Sequence, residues 1–305
     1  MVVFLGLAAA ALYGSGDFLG GMATRRAHVL TVLTLVETAG VIVALAAAAI
    51  WPGPASLAGL AWGVSAGLVG GLGLIVFYTG LAAGPMSVVA PVSGLVSTVL
   101  PVAVALAEGE RPGAGVYAGA LLCLVAIVLA SSAGDRGGGT GGGTGGGTGH
   151  GAGLARRPGR LGRAIAYGTA SGVSFGLFFL LIRNAGQSGA VWPVAAGRIG
   201  ELAVVLAAAA VLRPGLLRGA GGSIPLAAAG AGVIDVLANI CYVAATRTGL
   251  FGLAVVLASL YPGVTVLLAR VVLGERLRWL QRLGLGLAAI GVLLVAALPT
   301  DNLCR

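Results

Sequence analysis

Ten runs of apolar residues organise this chain, each about as long as the 18 or more residues that cross a hydrocarbon core of roughly 30 Å. They fall at 2–22, 30–50, 57–80, 86–106, 113–131, 164–182, 192–212, 224–245, 251–272 and 279–298. No water is present at membrane depth, so a spanning backbone must satisfy its own hydrogen bonds, and a run of this length does so as a helix. Charged residues make up 9% of the chain and its mean hydropathy is +1.04. A soluble domain carries about 25% charge to cover its surface. Lipid therefore takes the place of water over much of this surface, and the expected fold class is all-α, a polytopic membrane protein with ten spans. The first run has no basic start and no small-residue cleavage site, so it reads as a span and not as a signal peptide.

The formal charge of +9 comes from eighteen basic residues, all Arg, against nine acids. In a membrane protein such a balance marks loops on the cytoplasmic side, and nucleic acid is not an expected partner. Cys123 and Cys241 lie inside apolar runs and Cys304 in the tail, with neither ligand spacing nor a disulfide framework. His28 is in a loop and His150 in a glycine-rich stretch. No nucleophile–base arrangement, phosphate loop or metal motif occurs. The sequence therefore gives little support to an enzyme, and no catalytic or metal residues and no cofactor are expected.

Residues 134–163 contain GGGTGGGTGGGTG, a low-complexity linker with no apolar surface to bury. It separates a first unit, 1–133, from a second, 164–305, each with five spans. The two units repeat. Glu37 precedes Glu201 by 164 residues, the offset that also relates Tyr78 to Tyr242. Gly109-Glu110-Arg111 and Gly274-Glu275-Arg276 precede the last span of each unit at an offset one residue longer. Five is odd, so the second copy enters the membrane from the opposite side, and the units form an inverted repeat of the kind found in secondary transporters.

In its five-plus-five plan, its two GER turns, YGSGDFLGG in the first span and AAGRIGE in the seventh, the chain resembles the EamA-type branch of the drug/metabolite transporter superfamily. The resemblance covers nearly everything outside the linker. It implies a multi-pass protein of the cell membrane that moves a small metabolite or drug-like solute, driven by a gradient and not by ATP, with export the expected direction. A non-transporting receptor or scaffold is the alternative, and a membrane-embedded enzyme a more distant one. The chain departs from a symmetric charged site in the second span, where TLVETAG has no Arg to match Arg198.

An Asp, Glu or Arg at the bilayer centre costs about 2.5–3.5 kcal/mol on insertion scales. Asp17, Glu37, Arg198, Glu201 and Asp235 all lie inside spans. They must face a wet cavity, pair with one another or be neutral. Asp235, Asn239, Tyr242 and Thr246 form one polar stripe on the eighth span, read as a substrate-facing wall or else as a hydrogen-bonded helix seam. Arg198 and Glu201 share a face of the seventh span, as an ion pair or as substrate contacts. Glu37 has no cation on its own helix, and Arg198 is the deeply placed Arg that could meet it. Tyr261, beside Pro262, completes the expected substrate-binding set of Asp235, Asn239, Tyr242, Glu37, Arg198, Glu201 and Tyr261.

Asp17 lies among Gly14, Gly16 and Gly20, where close helix contact removes water and penalises its charged form. The small multidrug exporters of the same superfamily carry an acid in the first helix that exchanges protons for substrate. That resemblance implies the proton-coupling role for Asp17. Glu110 and Glu275 read as turn chemistry at the membrane edge. Pro91, Pro101 and Pro262 are expected to interrupt the fourth and ninth spans. The rows Gly63, Gly67, Gly71 and Gly168, Gly172, Gly176 read as close helix packing. Arg25 and Arg26, the linker arginines and Arg213, Arg218, Arg276, Arg278 and Arg282 share alternate loops. Charge counting puts those loops in the cytoplasm and the termini outside, whereas the resemblance implies cytoplasmic termini.

Overall fold

A computed structural model of the chain describes residues 1–24, 26–51, 53–83, 86–110, 113–131, 158–185, 189–212, 224–248, 251–273 and 279–297. These residues are helical with short connections. In order they form α1 (Val2–Thr24), α2 (Val29–Ile50), α3 (Leu57–Ala83), α4 (Met86–Ala107), α5 (Ala114–Ser131) and α6 (Pro158–Ala185). Then come α7 (Val191–Leu212), α8 (Ile224–Thr248), α9 (Phe251–Ala258), α10 (Tyr261–Leu273) and α11 (Trp279–Ala297). Among the described residues, six helices are long and apolar enough to cross a membrane: α1, α2, α3, α6, α7 and α8. Shorter apolar stretches lie in the remaining segments. The chain is an all-α, multi-pass membrane protein.

Two expectations change at the helix ends and prolines. Residues 158–163, assigned to the linker, belong to α6, which starts at Pro158; proline's fixed φ and missing N–H suit a first helical turn. The remainder of the linker expectation lies outside the described residues. The fourth span is not interrupted, because α4 runs through positions 91 and 101. Here Ser97 and Thr98 turn their hydroxyls back to the Gly94 carbonyl at 3.0 and 2.7 Å. The carbonyl that Pro101 leaves without its helical donor is that of Ser97, against which α6 packs at Gly176, and close neighbouring helices are what let a membrane helix tolerate proline. The ninth span does divide. Pro262 has no N–H to offer the carbonyl of Ala258, so α9 stops there and α10 restarts at Tyr261, with Gly263 N bonding Leu260 O at 2.9 Å.

The helices pair across the halves. α1 packs on α8 as α3 packs on α6, and α2 packs on α8 as α3 packs on α7. α4 lies on α6 as α9 and α10 lie on α1, while α2 meets α7, α4 meets α9 and α5 meets α11. Exchanging α1–α5 with α6, α7, α8, the pair α9–α10 and α11 in that order maps this set of pairings onto itself.

Glycine sets the distances. A Cβ at Gly200 would lie 2.6 Å from the carbonyl oxygen of Val64, and one at Gly71 would lie 3.2 Å from that of Glu201, so α3 and α7 touch backbone to backbone. Gly168, Gly172 and Gly176 seat α6 on Val92, Val96 and Leu100 of α4. Both glycine rows thus serve packing, as close approach of membrane helices requires.

Candidate functional site

Arg198 sits in α7 after Ala195, Ala196 and Gly197, at the level where α2 and α8 converge. Room for its stem comes from Gly40 of α2, whose absent side chain leaves the Arg198 Cδ 3.1 Å from a would-be Cβ. The guanidinium then meets three carboxylates. Nη1 is 3.0 Å from Glu37 Oε2 and 2.9 Å from Glu201 Oε2, and Nη2 bonds Asp235 Oδ2. The Glu201 contact is close in distance but lacks hydrogen-bond geometry, leaving Oε2 without such a bond. A buried charge is tolerable only when it is paired this way.

The cluster is graded in access. The side chains of Glu37, Arg198 and Glu201 are 2%, 4% and 6% accessible, whereas that of Asp235 is 28% accessible. Asp235 faces a cavity of about 110 Å³ near the middle of the helices. Asn239, one turn along α8, donates from Nδ2 to the Asp235 backbone carbonyl at 2.9 Å and accepts from the Tyr13 hydroxyl at 2.9 Å. Asp17 and Tyr13 of α1, Tyr261 of α10 and Ser97 of α4 also line this space. Phe77 and Tyr78 of α3, with Phe175, Phe178 and Phe179 of α6, supply most of the rest. The rings meet edge to face, Tyr13 with Phe179 at 6.3 Å and with Tyr261 at 6.4 Å, and Phe77 with Phe175 at 5.9 Å.

The expected site residues are therefore drawn together with one exception. Glu37, Arg198 and Glu201 meet, and Asp235 joins them as a fourth member that its own helix did not announce. Asp235, Asn239, Tyr261, Asp17, Arg198 and Glu201 line the cavity, and Glu37 lies behind them. Tyr242 does not. It is fully buried behind the wall, its ring 4.8 Å from that of Phe179 and its hydroxyl donated to the Phe179 carbonyl at 3.3 Å. Thr246, last in the polar stripe, bonds back to Val243 O at 2.8 Å. Only the first two positions of that stripe reach the cavity, because α8 turns its later residues toward α6. Apart from Tyr261, the aromatic lining went unseen in sequence, where Phe and Tyr are unremarkable in apolar helices. Tyr78, one of the repeat markers, was the available signal.

At the other end of α4, the chain leaves the helix through Gly109 at φ +97°, a left-handed conformation suited to glycine. Gly109 N bonds Leu106 O and Glu110 N bonds Ala105 O, the paired bonds of a Schellman ending. Glu110 is thereby aimed at α9, where it accepts the N–H groups of Phe251 and Gly252. Beside it, Arg183 pairs with Glu108 at 2.7 Å and lies 4.1 Å over the Phe251 ring. Arg111 and the second GER turn lie outside the described residues.

Residues 162–297 match the model of the EamA-like transporter family. This part of the chain is similar to that family. The EamA match covers α7, α8 and α10, and with them Arg198, Glu201, Asp235, Asn239 and Tyr261. The family is one of membrane transporters, the function class that the resemblance of the sequence implied. A crystal structure described only as that of a protein is similar over 97% of this chain and 96% of its own, with a TM-score of 0.71 and 20% identity. That likeness concerns the fold. No curated protein matches the sequence.

Proposed function

We propose that this chain is a gradient-driven secondary transporter that exports a small metabolite or drug-like solute across the cell membrane. Its ten spans act as two inverted five-helix repeats, and the solute binds in the cavity between them. The observation carrying this reading is the cavity itself, with ionisable side chains at membrane depth on its wall. Such groups are costly there and mark substrate or ion pathways. The self-matching set of helix pairings supports the repeat, and binding at the interface of repeats is the usual arrangement in transporters.

In this reading Asp235, Asn239 and Tyr261 contact the solute, Arg198 and Glu201 reach the cavity wall beside them, and Glu37 holds the cluster from behind. Tyr242 contributes through Phe179, which it backs. Asp17 carries the coupling proton, since it opens onto the cavity and has no ion-pair partner among the described residues. The test is solute flux in vesicles reconstituted with the purified protein. Accumulation under an imposed proton gradient, without ATP, is the expected result. A strict need for ATP, or specific binding with no flux under any gradient, would overturn it, the latter in favour of a receptor.

A further inference from the structure

We infer that Glu37 and Glu201 hold one proton between them, a carboxyl–carboxylate pair that stands where the repeat lacks a second cation. The inference goes beyond the transport reading and does not depend on it.

A shortage of positive charge is built into the repeat. Glu37 and Glu201 occupy the same position in the two units, 164 residues apart. The fold brings these two mates onto a single nitrogen, Arg198 Nη1, at 3.0 Å from Glu37 Oε2 and 2.9 Å from Glu201 Oε2. At the same offset the mate of Arg198 is Thr34, whose hydroxyl bonds the Leu30 carbonyl at 2.8 Å. The mate of Asp235 is Gly71. The first unit therefore lacks the base, the second carries an additional acid, and three carboxylates meet one guanidinium. Asp235 takes Nη2, which leaves both glutamates to Nη1.

The neighbouring helices supply nothing to correct this. α3 faces Glu201 with glycine: a Cβ at Gly70 would lie 2.9 Å from Glu201 Oε1, and one at Gly71 would lie 3.2 Å from Glu201 Cα. α6 brings Phe178 to the same Gly70, and the Tyr13 hydroxyl of α1 is donated to Asn239. The Glu37 and Glu201 side chains are almost closed to water, so little screens one charge from the other. Two carboxylates this close in dry surroundings cannot both stay ionised. Their carboxyl groups are within hydrogen-bond reach of each other, yet a carboxylate only accepts. Glu201 Oε2 is accordingly the buried oxygen left without a hydrogen bond. One shared proton closes that contact and removes one of the excess charges, and it belongs to the pair and not to either residue. A metal ion is the poorer fit, because no group of three or more His, Cys, Asp or Glu side chains among the described residues is placed to hold one.

The test is infrared spectroscopy of the purified full-length protein in detergent, at neutral pH and without solute. The protein is prepared once with ordinary glutamate and once with glutamate carrying carbon-13 in its side-chain carboxyl. A protonated carboxyl group has a carbonyl band separate from the bands of ionised carboxylates. The label shifts that band only if it belongs to a glutamate, which sets it apart from Asp17 and Asp235. The expected result is a label-sensitive protonated-carboxyl band in the wild-type protein. It should be lost in Glu201→Gln and in Glu37→Gln, because the glutamate that remains then has Arg198 Nη1 to itself. Absence of the band from the wild-type protein overturns the proposal whether or not the variants fold. So does a band that survives in either variant. Vesicle flux keeps this apart from the transport reading: the band without flux removes transport and leaves the proton pair, and flux without the band does the reverse.

Discussion

Glu110 ends the fourth helix of one half and caps the ninth helix of the other, its Oε1 accepting from Phe251 N at 2.7 Å and its Oε2 from Gly252 N at 3.1 Å. The first N–H groups of a helix have no partner of their own, and a carboxylate there also meets the positive end of the helix dipole. Gly109 makes this possible, since the chain must enter a left-handed turn before Glu110 can point back. Glycine followed directly by glutamate thus has a mechanical meaning here.

Removing the cap should loosen the start of α9. Glu110→Ala is expected to cost about 1.5–3 kcal/mol, the range for hydrogen bonds to a charged group. Glu110→Gln, with one acceptor left, should fall between the variant and the wild type. Hydrogen exchange at Phe251 and Gly252 reports this directly, and protection unchanged in Glu110→Ala would remove the cap from the account.

Arg198→Ala should be the most damaging single change in the charge cluster, because it strands Glu37, Glu201 and Asp235 together. Breaking a buried pair typically costs about 3–5 kcal/mol. Adding Glu201→Gln should recover part of the lost yield of folded protein in size-exclusion profiles. A double variant no better than Arg198→Ala alone would argue against direct coupling between the two side chains.

The proposed division of labour in the cavity predicts two kinds of transport defect. Asp17→Asn should fold normally yet lose the dependence of flux on a proton gradient. Asn239→Ala should instead weaken solute binding at every pH, since it releases Tyr13 as well as Asp235. Flux in Asp17→Asn vesicles that still follows the gradient would take the coupling role away from this residue.

Tyr242→Phe should leave solute affinity unchanged and lower stability by at most about 1 kcal/mol, since it deletes only a long hydrogen bond to the Phe179 carbonyl. A binding loss as large as that of Asn239→Ala would return Tyr242 to the cavity wall.

A glycine contrast tests the helix contacts. Gly200→Ala places a methyl group 2.6 Å from the Val64 carbonyl oxygen and should reduce folded yield sharply, whereas Gly21→Ala meets nothing within 4 Å and should be tolerated. Equal yields from the two would mean that α3 and α7 sit farther apart.

Much of this arrangement was legible in the residues. Apolar length sets the helices, and a charge inside a span must find a partner, which is why Glu37 pointed to Arg198 across 161 residues. The same reasoning stopped at Asp235. Its neighbours on α8 already formed a polar stripe, so nothing in sequence demanded a partner elsewhere. Tyr242 misled for a related reason: helical spacing places it on the stripe, but one helix face can be shared between a cavity and a packed neighbour. Proline was a sign of two meanings. At Pro262 the chain broke, while α4 continued through 91 and 101, packed closely against α6.

That last difference has a mechanical outcome. α4 and the pair α9–α10 occupy equivalent places in the pairing scheme, yet one is a continuous rod and the other is jointed at Ser259–Leu260. The main pairings of these two elements match, while their continuity differs. If the solute crosses by rocking one half against the other, bending gathers at this single joint. The two end positions of that motion are then not mirror images, and the protein has a resting preference between them before solute or ion arrives.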